Sequence, residues 1–261
     1  MIINLLAANR IKILFIFGIL ISHWLQAGEV TSGYAQLPNY QSYQVPRLNP
    51  SYRAVTLPTD KKIPEECKKF IQDDGSYGEY GQMVLKEMTG KGKSEARPEM
   101  FFNEIPKDIE KICKGYASFD ADVRANFWVY VMAAVATNES GCKATAVNNK
   151  AGPNGNGVAI GLFQTPKSEE GVSPTWRGRG CTQPPQYEDP ESQVSCGMEI
   201  MSDLLDGQLC SKKQSQFTPF EKGSYWATLI PENTEQGADK INNKLDTLSI
   251  IKEFRPCQNT Y

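Results

Sequence analysis

The sequence predicts a mainly helical domain that carries one small β-hairpin and is stabilised by disulfide bonds. Three observations carry this prediction. Apolar residues recur at the helical period in segments that begin with capping residues, strand signals are confined to one Asn- and Gly-rich stretch, and all seven cysteines follow an export signal. We therefore expect one compact domain of about 200 residues, from residue 61 to residue 261.

The first 27 residues predict a secretory signal peptide. Arg10 and Lys12 precede an apolar run over residues 13–21, and Ala27 is a small residue at a plausible cleavage point. The run is shorter than the ~20 apolar residues that a membrane-spanning helix needs, and no later stretch approaches that length. We expect an exported protein, periplasmic or secreted, without a membrane span.

Removal of the signal peptide limits the kinds of catalytic and metal-binding sites that the mature chain can form. It takes away His23, the only histidine, and so excludes Ser-His-Asp triads, Cys-His proteases and histidine-ligated metals. The loss of Arg10 and Lys12 leaves 26 of 28 basic residues against 30 acidic ones, a net charge of about −4. Such a chain offers no basic surface for nucleic acid. We expect no cofactor.

The cysteines predict three disulfides with one sulfur left over, because the compartment is oxidising. No two of them have the close spacing of a zinc site, so we expect no metal. Their connectivity does not follow from the sequence. The seven are Cys67, Cys113, Cys142, Cys181, Cys196, Cys210 and Cys257.

Residues 28–60 are rich in tyrosine and proline and show no helical or strand period. We interpret them as a disordered or extended tether, with a wall-adhering or partner-binding tail as the alternative.

Within residues 61–261, helix signals dominate. A central buried helix capped by Asp120 or Ser118 runs to about Thr137. A second clear helix begins at Asp189-Pro190-Glu191 and ends at Asp206-Gly207. The hairpin is expected within residues 148–164. The remaining predicted helices are Pro64–Gln72, Glu79–Met88, Ile105–Lys114 and one from near Thr234 to Arg255-Pro256.

Glu139 is the candidate acid. Counting back along the central helix places its side chain on the same face as Val135 and Met132, which are apolar. Desolvation and the negative end of the helix dipole both favour the protonated form that a general acid needs. The alternative is a surface residue at a helix end that Gly141 closes.

The segments that follow Glu139 resemble a known family. The pair Glu139-Ser140 is followed by the predicted hairpin, by Gly-Leu-Phe-Gln at 161–164, and by Asp189-Pro190 with Cys196-Gly197. This order resembles lytic transglycosylases and goose-type lysozymes over about Val123–Leu205. The resemblance implies a lysozyme-like α+β fold and an enzyme that cuts the β-1,4 bond between MurNAc and GlcNAc in peptidoglycan glycan strands. In size and export signal, the chain also resembles lysozymes of predatory bacteria that prefer deacetylated glycan.

The resemblance also implies roles for single residues. Glu139 is the catalytic acid, and Ser140 lies beside it. The Ser140 hydroxyl hydrogen-bonds the carboxyl group or the substrate, or alternatively it only helps to close the helix end. Three further positions complete the implied site or its core: Gln164 lines the cleft, Tyr225 stacks on sugar, and Phe163 binds substrate or packs behind the loop. Trp176, in a segment longer than the family's, either stacks on glycan or fills space beneath a disulfide-pinned loop.

The reaction type depends on a second carboxylate. Inverting hydrolysis needs a base about 6.5–9.5 Å from the acid. Without a base, the family's route is attack by the sugar's own O6, which leaves a 1,6-anhydro end.

Acidic residues facing the cleft would favour N-deacetylated glycan. We expect a monomer. A catalytically silent glycan-binding or envelope-structural protein that keeps the fold is the alternative function. Candidates for the base are Asp189, Glu188, Glu191, Glu169 and Glu170.

Overall fold

A long buried helix, α3 (Ala121–Ser140), lies at the centre of the fold in the computed structural model. Asp120 caps it as predicted, since its Oδ1 accepts a hydrogen bond from the Val123 amide at 2.9 Å. The helix is apolar on all sides, and it is buried from Arg124 to Asn138. The structure describes residues 43–59, 61–106, 109–151, 157–166, 175–176, 179–182, 185–206, 219–220, 225–229 and 247–258.

Shorter helices surround α3. Helix α1 packs against α3 and α4, α2 packs against the same two helices, and α5 packs against α3. Asp189 caps α4 and Pro190 is its first residue, as the sequence predicts. These helices are α1 (Glu79–Met88), α2 (Pro98–Phe102), α4 (Pro190–Leu205) and α5 (Thr247–Lys252). Short 3₁₀ helices span Glu65–Lys69, Ile109–Lys111, Tyr116–Ser118, Ala227–Leu229 and Arg255–Cys257.

The predicted hairpin is present and is extended by a third strand. Strand β2 pairs antiparallel with β1 and with β3, in the order β1-β2-β3. The buried residues Ala159 and Ile160 of β2 pair with Asn148 and Val147 on one side and with β3 on the other. The strands are β1 (Val147–Ala151), β2 (Gly157–Ile160) and β3 (Thr165–Pro166), with a separate antiparallel pair β4 (Thr175–Trp176) and β5 (Arg179–Gly180).

Three disulfides form, as the sequence predicts, and the structure supplies their connectivity. They are Cys67–Cys142, Cys113–Cys257 and Cys181–Cys196. The first joins the 3₁₀ helix Glu65–Lys69 to the residue that follows the end of α3, and the second ties the C-terminal 3₁₀ helix to the interior. The seventh cysteine, Cys210, lies outside the described residues.

Two predicted short helices are wrong in extent and type. In place of Pro64–Gln72 there is the 3₁₀ helix Glu65–Lys69, because Ile71 instead forms a β-bridge with Tyr77 and the chain reverses there. In place of Ile105–Lys114, the described residues contain only the 3₁₀ helix Ile109–Lys111. Pro106 disfavours helical backbone at the residue before it. Most of the helix predicted from Thr234 lies outside the described residues, which begin again at 247.

The predicted domain start at residue 61 is too late. The chain divides into Met1–Tyr43 and Gln44–Tyr261, and the fold described here belongs to the second unit. Residues 44–59 contain no helix or strand, and they are bonded to the domain: the Val55 amide donates to Asn126 Oδ1 at 2.8 Å. The sequence did not predict this attachment, because backbone hydrogen bonds to polar groups of the domain leave no mark in the hydrophobic pattern of the segment. The predicted signal peptide, residues 1–27, lies outside the described residues.

Candidate active site

Glu139 lies in the last turn of α3 and is partly exposed. The helix ends in a left-handed Gly141 (φ 63°), with the Cys142 amide donating to the Ala136 carbonyl at 3.0 Å. The predicted end near Thr137 is therefore one turn early. Glu139 Oε1 accepts a hydrogen bond from Thr228 Oγ1 at 3.2 Å. The carboxyl group thus lies at the border between the buried helix and solvent, in contact with a turn from late in the chain.

Ser140 joins the end of α3 to the loop at 161–164. Its hydroxyl lies 2.8 Å from the Leu162 carbonyl and 3.1 Å from the Ala136 carbonyl. It also accepts from the Lys143 amide at 3.2 Å. Because these partners are all backbone groups, the hydroxyl fixes the loop beside Glu139.

The Gly-Leu-Phe-Gln loop is a tight turn. Gly161 (φ 73°) and Gln164 (φ 48°) both have left-handed backbone, which is uncommon for a residue other than glycine. The Gln164 side chain is partly exposed, and its Nε2 donates to the Gly161 carbonyl at 3.0 Å. The turn therefore presents the Gln164 amide at its surface while one end of that amide braces the turn.

Gln193, on α4, holds this loop from beneath, and the sequence analysis missed it. Its side chain is 1% exposed. Its Oε1 accepts from the Leu162 amide at 2.9 Å, and its Nε2 donates to the carbonyls of Ala144 at 3.0 Å and Gln186 at 2.7 Å. A Cβ at Gly161 would lie 2.2 Å from the Gln193 side chain, so glycine is required there. One buried amide thus connects three segments around the site.

We expect Gln193→Leu to lower the free energy of unfolding by on the order of 2–4 kcal/mol, because it leaves three backbone groups without their partner. Denaturant unfolding measures the change. The control is Gln258→Leu, at an exposed glutamine that bonds only the Lys252 carbonyl and should change stability by less than about 0.5 kcal/mol. Equal stability of the two variants would contradict this role for Gln193.

Phe163 lies in the core, as the packing alternative predicts, and its side chain does not reach the surface to bind substrate. It is 1% exposed, and its ring packs at 6.1 Å from Trp226 and 6.4 Å from Phe70. A Cβ at Gly197 would lie 2.7 Å from this ring, which explains the small residue on α4. The apolar ring sits beneath the turn that its own backbone forms.

Tyr225 lies near Glu139, in the segment that also carries Thr228. Burial raises the pKa of the Tyr225 hydroxyl, and the charge of Glu139 raises it further. Trp226 next to it is buried, and its Nε1 donates to the Phe163 carbonyl at 3.2 Å. This bond ties the Tyr225–Thr228 segment to the Gly-Leu-Phe-Gln loop, so Tyr225 stands at the site and Trp226 supports it.

Two of the three candidate second carboxylates that the structure describes, Asp189 and Glu191, bond other groups. Asp189 accepts from the Glu191 amide at 3.1 Å as the cap of α4. Glu191 pairs with Lys93 at 2.7 Å and Lys86 at 3.3 Å, and the bond from Lys93, followed by that from Lys86, lowers its pKa. Glu188 is exposed and has left-handed backbone. Glu169, Glu170 and the side chain of Trp176 lie outside the described residues.

Within the parts of the chain that the structure describes, no group of three or more His, Cys, Asp or Glu residues is arranged to hold a metal ion. Over the same residues, no helix is both long enough and apolar enough to span a bilayer.

The comparison with protein families identifies the class. Residues 117–212 match the model of the Transglycosylase SLT domain. The matched residues include Glu139, the Gly-Leu-Phe-Gln loop and Gln193. This part of the chain is similar to SLT domains, and the mostly helical structure with a small antiparallel sheet and three disulfides is consistent with a lysozyme-like fold. The domain indicates a peptidoglycan glycosidase or lytic transglycosylase. Disulfides together with a peptidoglycan-acting domain indicate an extracytoplasmic protein.

Solved structures of DslA, a lysozyme-like protein from Bdellovibrio, are similar to this chain. The wild-type form is 20% identical, with 71% of this chain and 93% of that chain covered and a TM-score of 0.45. A Glu-to-Gln mutant of DslA is 20% identical over 75% of this chain and 97% of that chain, with a TM-score of 0.47. No curated protein sequence matches the chain.

Proposed function

We propose that the protein is exported and cleaves the β-1,4 bond between MurNAc and GlcNAc in peptidoglycan, with Glu139 as general acid. The observation that carries the proposal is the position of Glu139. It ends the buried helix of the SLT domain, partly exposed, beside the loop that Ser140 holds. The negative end of the helix dipole lies at this carboxyl group. Clearing of a suspension of purified sacculi tests the activity.

Glu139 gives its proton to the bridging oxygen between the two sugars as the bond from that oxygen to C1 of MurNAc breaks. The leaving sugar departs with a hydroxyl, and positive charge develops at C1. The C1 centre is then attacked by a nucleophilic oxygen, whose proton returns to the Glu139 carboxylate or to another base. Glu139 is then protonated again and can act as the acid in the next cycle.

The nucleophile in this proposal is the O6 hydroxyl of the same MurNAc. Inverting hydrolysis needs a second carboxylate. Of the three described candidates, Asp189 caps a helix and Glu191 is paired with two lysines, which leaves exposed Glu188. Attack by O6 needs none. Mass spectrometry of the released glycan should show 1,6-anhydro ends, and reducing ends alone would reject this route.

Two side chains at the site contact the sugar in this proposal. The partly exposed Gln164 amide offers its oxygen to a sugar hydroxyl or to the N–H of an N-acetyl group. Tyr225, whose raised pKa keeps its hydroxyl protonated, donates a hydrogen bond from one side of Glu139. These contacts would fix the bridging oxygen near the acid.

Thr228 positions the acid, because its hydroxyl contacts Glu139 Oε1 at 3.2 Å. We expect Thr228→Val, which keeps the side-chain shape, to lower kcat about tenfold with little change in KM, since one hydrogen bond to the reacting group is lost. Thr228→Ser, which keeps the hydroxyl, should retain most of the rate. Steady-state kinetics on soluble glycan measures both variants, and equal loss in the two would reject the role of the hydroxyl.

We also propose a preference for N-deacetylated glycan, which rests on the resemblance to lysozymes of predatory bacteria and on the acidic segment at 188–191. Exposed Glu188 carries no described ion pair within this segment and would attract a free sugar amine. Cleavage of deacetylated sacculi should then be faster than that of acetylated sacculi, and more so at low salt. Equal rates on the two substrates would reject the preference.

A further inference from the structure

A cavity of about 320 Å³ lies between the segment 48–53 and the domain, away from Glu139. Tyr52 and Arg53 line it from the segment, and Tyr77 and Asp122 line it from the domain. Its volume falls at the small end of the range of about 300–1,000 Å³ that small-molecule sites occupy. It can therefore take a chain end or a single small group.

The walls of this cavity are held in place by backbone hydrogen bonds. The Asn49 amide donates to Asp122 Oδ1 at 2.8 Å, and the Ala54 amide donates to the Gly75 carbonyl at 2.8 Å. Gly75 has left-handed backbone (φ 77°), and a Cβ there would lie 2.7 Å from the Ala54 carbonyl oxygen. Because the segment is bonded at both ends of the cavity, the site is preformed.

The chemistry of the lining combines two phenols with two opposite charges. Burial raises the pKa of Tyr52 and of Tyr77, so both hydroxyls remain protonated and can donate. Among the described residues, neither Arg53 nor Asp122 forms an ion pair. A guanidinium and a carboxylate that share a cavity without pairing there fit a ligand that carries both an anionic and a cationic group.

We propose that this cavity binds the end of a short peptide with a free amine and a free carboxylate, the chemistry of peptidoglycan stem peptides. Arg53 takes the carboxylate, Asp122 takes the amine, and the tyrosines cover the apolar part. The assignment of the peptide as a stem peptide rests on the proposed function, whereas the binding of a peptide end by the cavity does not depend on that function.

The cavity is separate from the cleavage site. Asp122 and Glu139 lie on the same helix, and the rise of 1.5 Å per residue puts them about 25 Å apart along its axis. The residues of segment 48–53 and Tyr77 precede the part of the chain that matches the SLT domain, which starts at residue 117. The cavity thus joins residues that precede the matched domain to Asp122 at the start of α3, which lies inside it, and it is suited to holding a wall strand while a distant bond is cut.

Calorimetric titration of the mature chain with the tripeptide L-alanyl-γ-D-glutamyl-L-lysine tests the proposal. We expect wild type to bind, and Arg53→Gln and Asp122→Asn each to bind about tenfold more weakly. The matched control is Arg47→Gln, at an exposed arginine directly before segment 48–53 that does not line the cavity, and it should bind as wild type does. Absence of binding to wild type, or equal binding by all variants, would overturn the proposal.

Two further measurements separate this site from the cleavage site. Glu139→Gln should bind the tripeptide with unchanged affinity, so a failure of the proposed cleavage leaves the peptide site testable. Arg53→Gln should cleave glycan stripped of stem peptides at the wild-type rate, while its KM on intact sacculi rises several-fold. Binding of chitotetraose in place of the tripeptide, lost in Tyr77→Phe, would show a saccharide site and overturn the peptide assignment.

Discussion

Glu139→Gln should lower the rate of glycan cleavage by about 10³-fold while leaving the fold intact. General acid catalysis contributes typically 10²–10⁴-fold, and an amide cannot deliver the proton. The substitution keeps the size of the side chain and an oxygen that can accept from Thr228. The release of soluble fragments from purified sacculi, measured over time for the two proteins, gives the ratio of rates.

Two comparisons make this result specific. Glu110→Gln, at an exposed glutamate of the 3₁₀ helix Ile109–Lys111 that precedes the opposite end of α3, should cleave at the wild-type rate. Thermal unfolding of Glu139→Gln should match that of wild type to within a few degrees, so that lost activity is not lost structure. A Glu139→Gln protein that retains more than about a tenth of the rate would remove Glu139 from the role of acid.

Removal of the Cys67–Cys142 disulfide should lower the free energy of unfolding by about 2–5 kcal/mol. The bond closes a loop with a sequence separation of 75, and its loss frees the unfolded chain. The double variant Cys67→Ser, Cys142→Ser also loosens the residue that follows Gly141 at the end of α3. Activity should therefore fall together with stability. Denaturant unfolding under non-reducing conditions measures the first effect.

Cys210→Ser is the matched control for this variant. It removes one sulfur and leaves all three bonds intact, because the other six cysteines pair with one another. Its unfolding midpoint should equal that of wild type. If Cys210→Ser destabilises the protein as much as the double variant does, the disulfide is not the cause.

The elements that the sequence predicted best are those whose signals are local. Asp120 and Asp189 cap α3 and α4 through their own side chains within three residues, and the helix Glu79–Met88 has the predicted bounds. The β-hairpin also followed from a short Asn- and Gly-rich stretch. Helix α2 was missed, although Pro98 is a favoured first residue and Met100, Phe101 and Phe102 are buried.

The parts of the site that the sequence did not predict depend on contacts between distant residues. Thr228 reaches Glu139 from 89 positions away, and Gln193 reaches Leu162 from 31 positions away. Nothing in the residues next to Thr228 or Gln193 distinguishes them from other polar residues. For Gln193 one signal was available: it lies one turn before Gly197 on the same face of α4, and a buried amide needs partners.

Disulfide connectivity was beyond the sequence for a similar reason, since seven cysteines allow many pairings and only the folded chain selects one. The extent of the N-terminal segment was missed because residues 44–59 are held by backbone bonds to Gly75, Asp122 and Asn126. Backbone hydrogen bonds of this kind produce no periodic pattern of hydrophobic residues in the sequence, so the pattern did not indicate them. The same segment then forms one wall of the cavity proposed to bind peptide.

Identification of the glycan ends that the purified protein creates tests the central claim most directly. Sacculi incubated with wild type should yield new ends at C1 of MurNAc, and sacculi incubated with Glu139→Gln should yield almost none. Fragments that carry only newly cut peptide bonds, or a wild-type protein that binds sacculi and releases no glycan, would contradict the account.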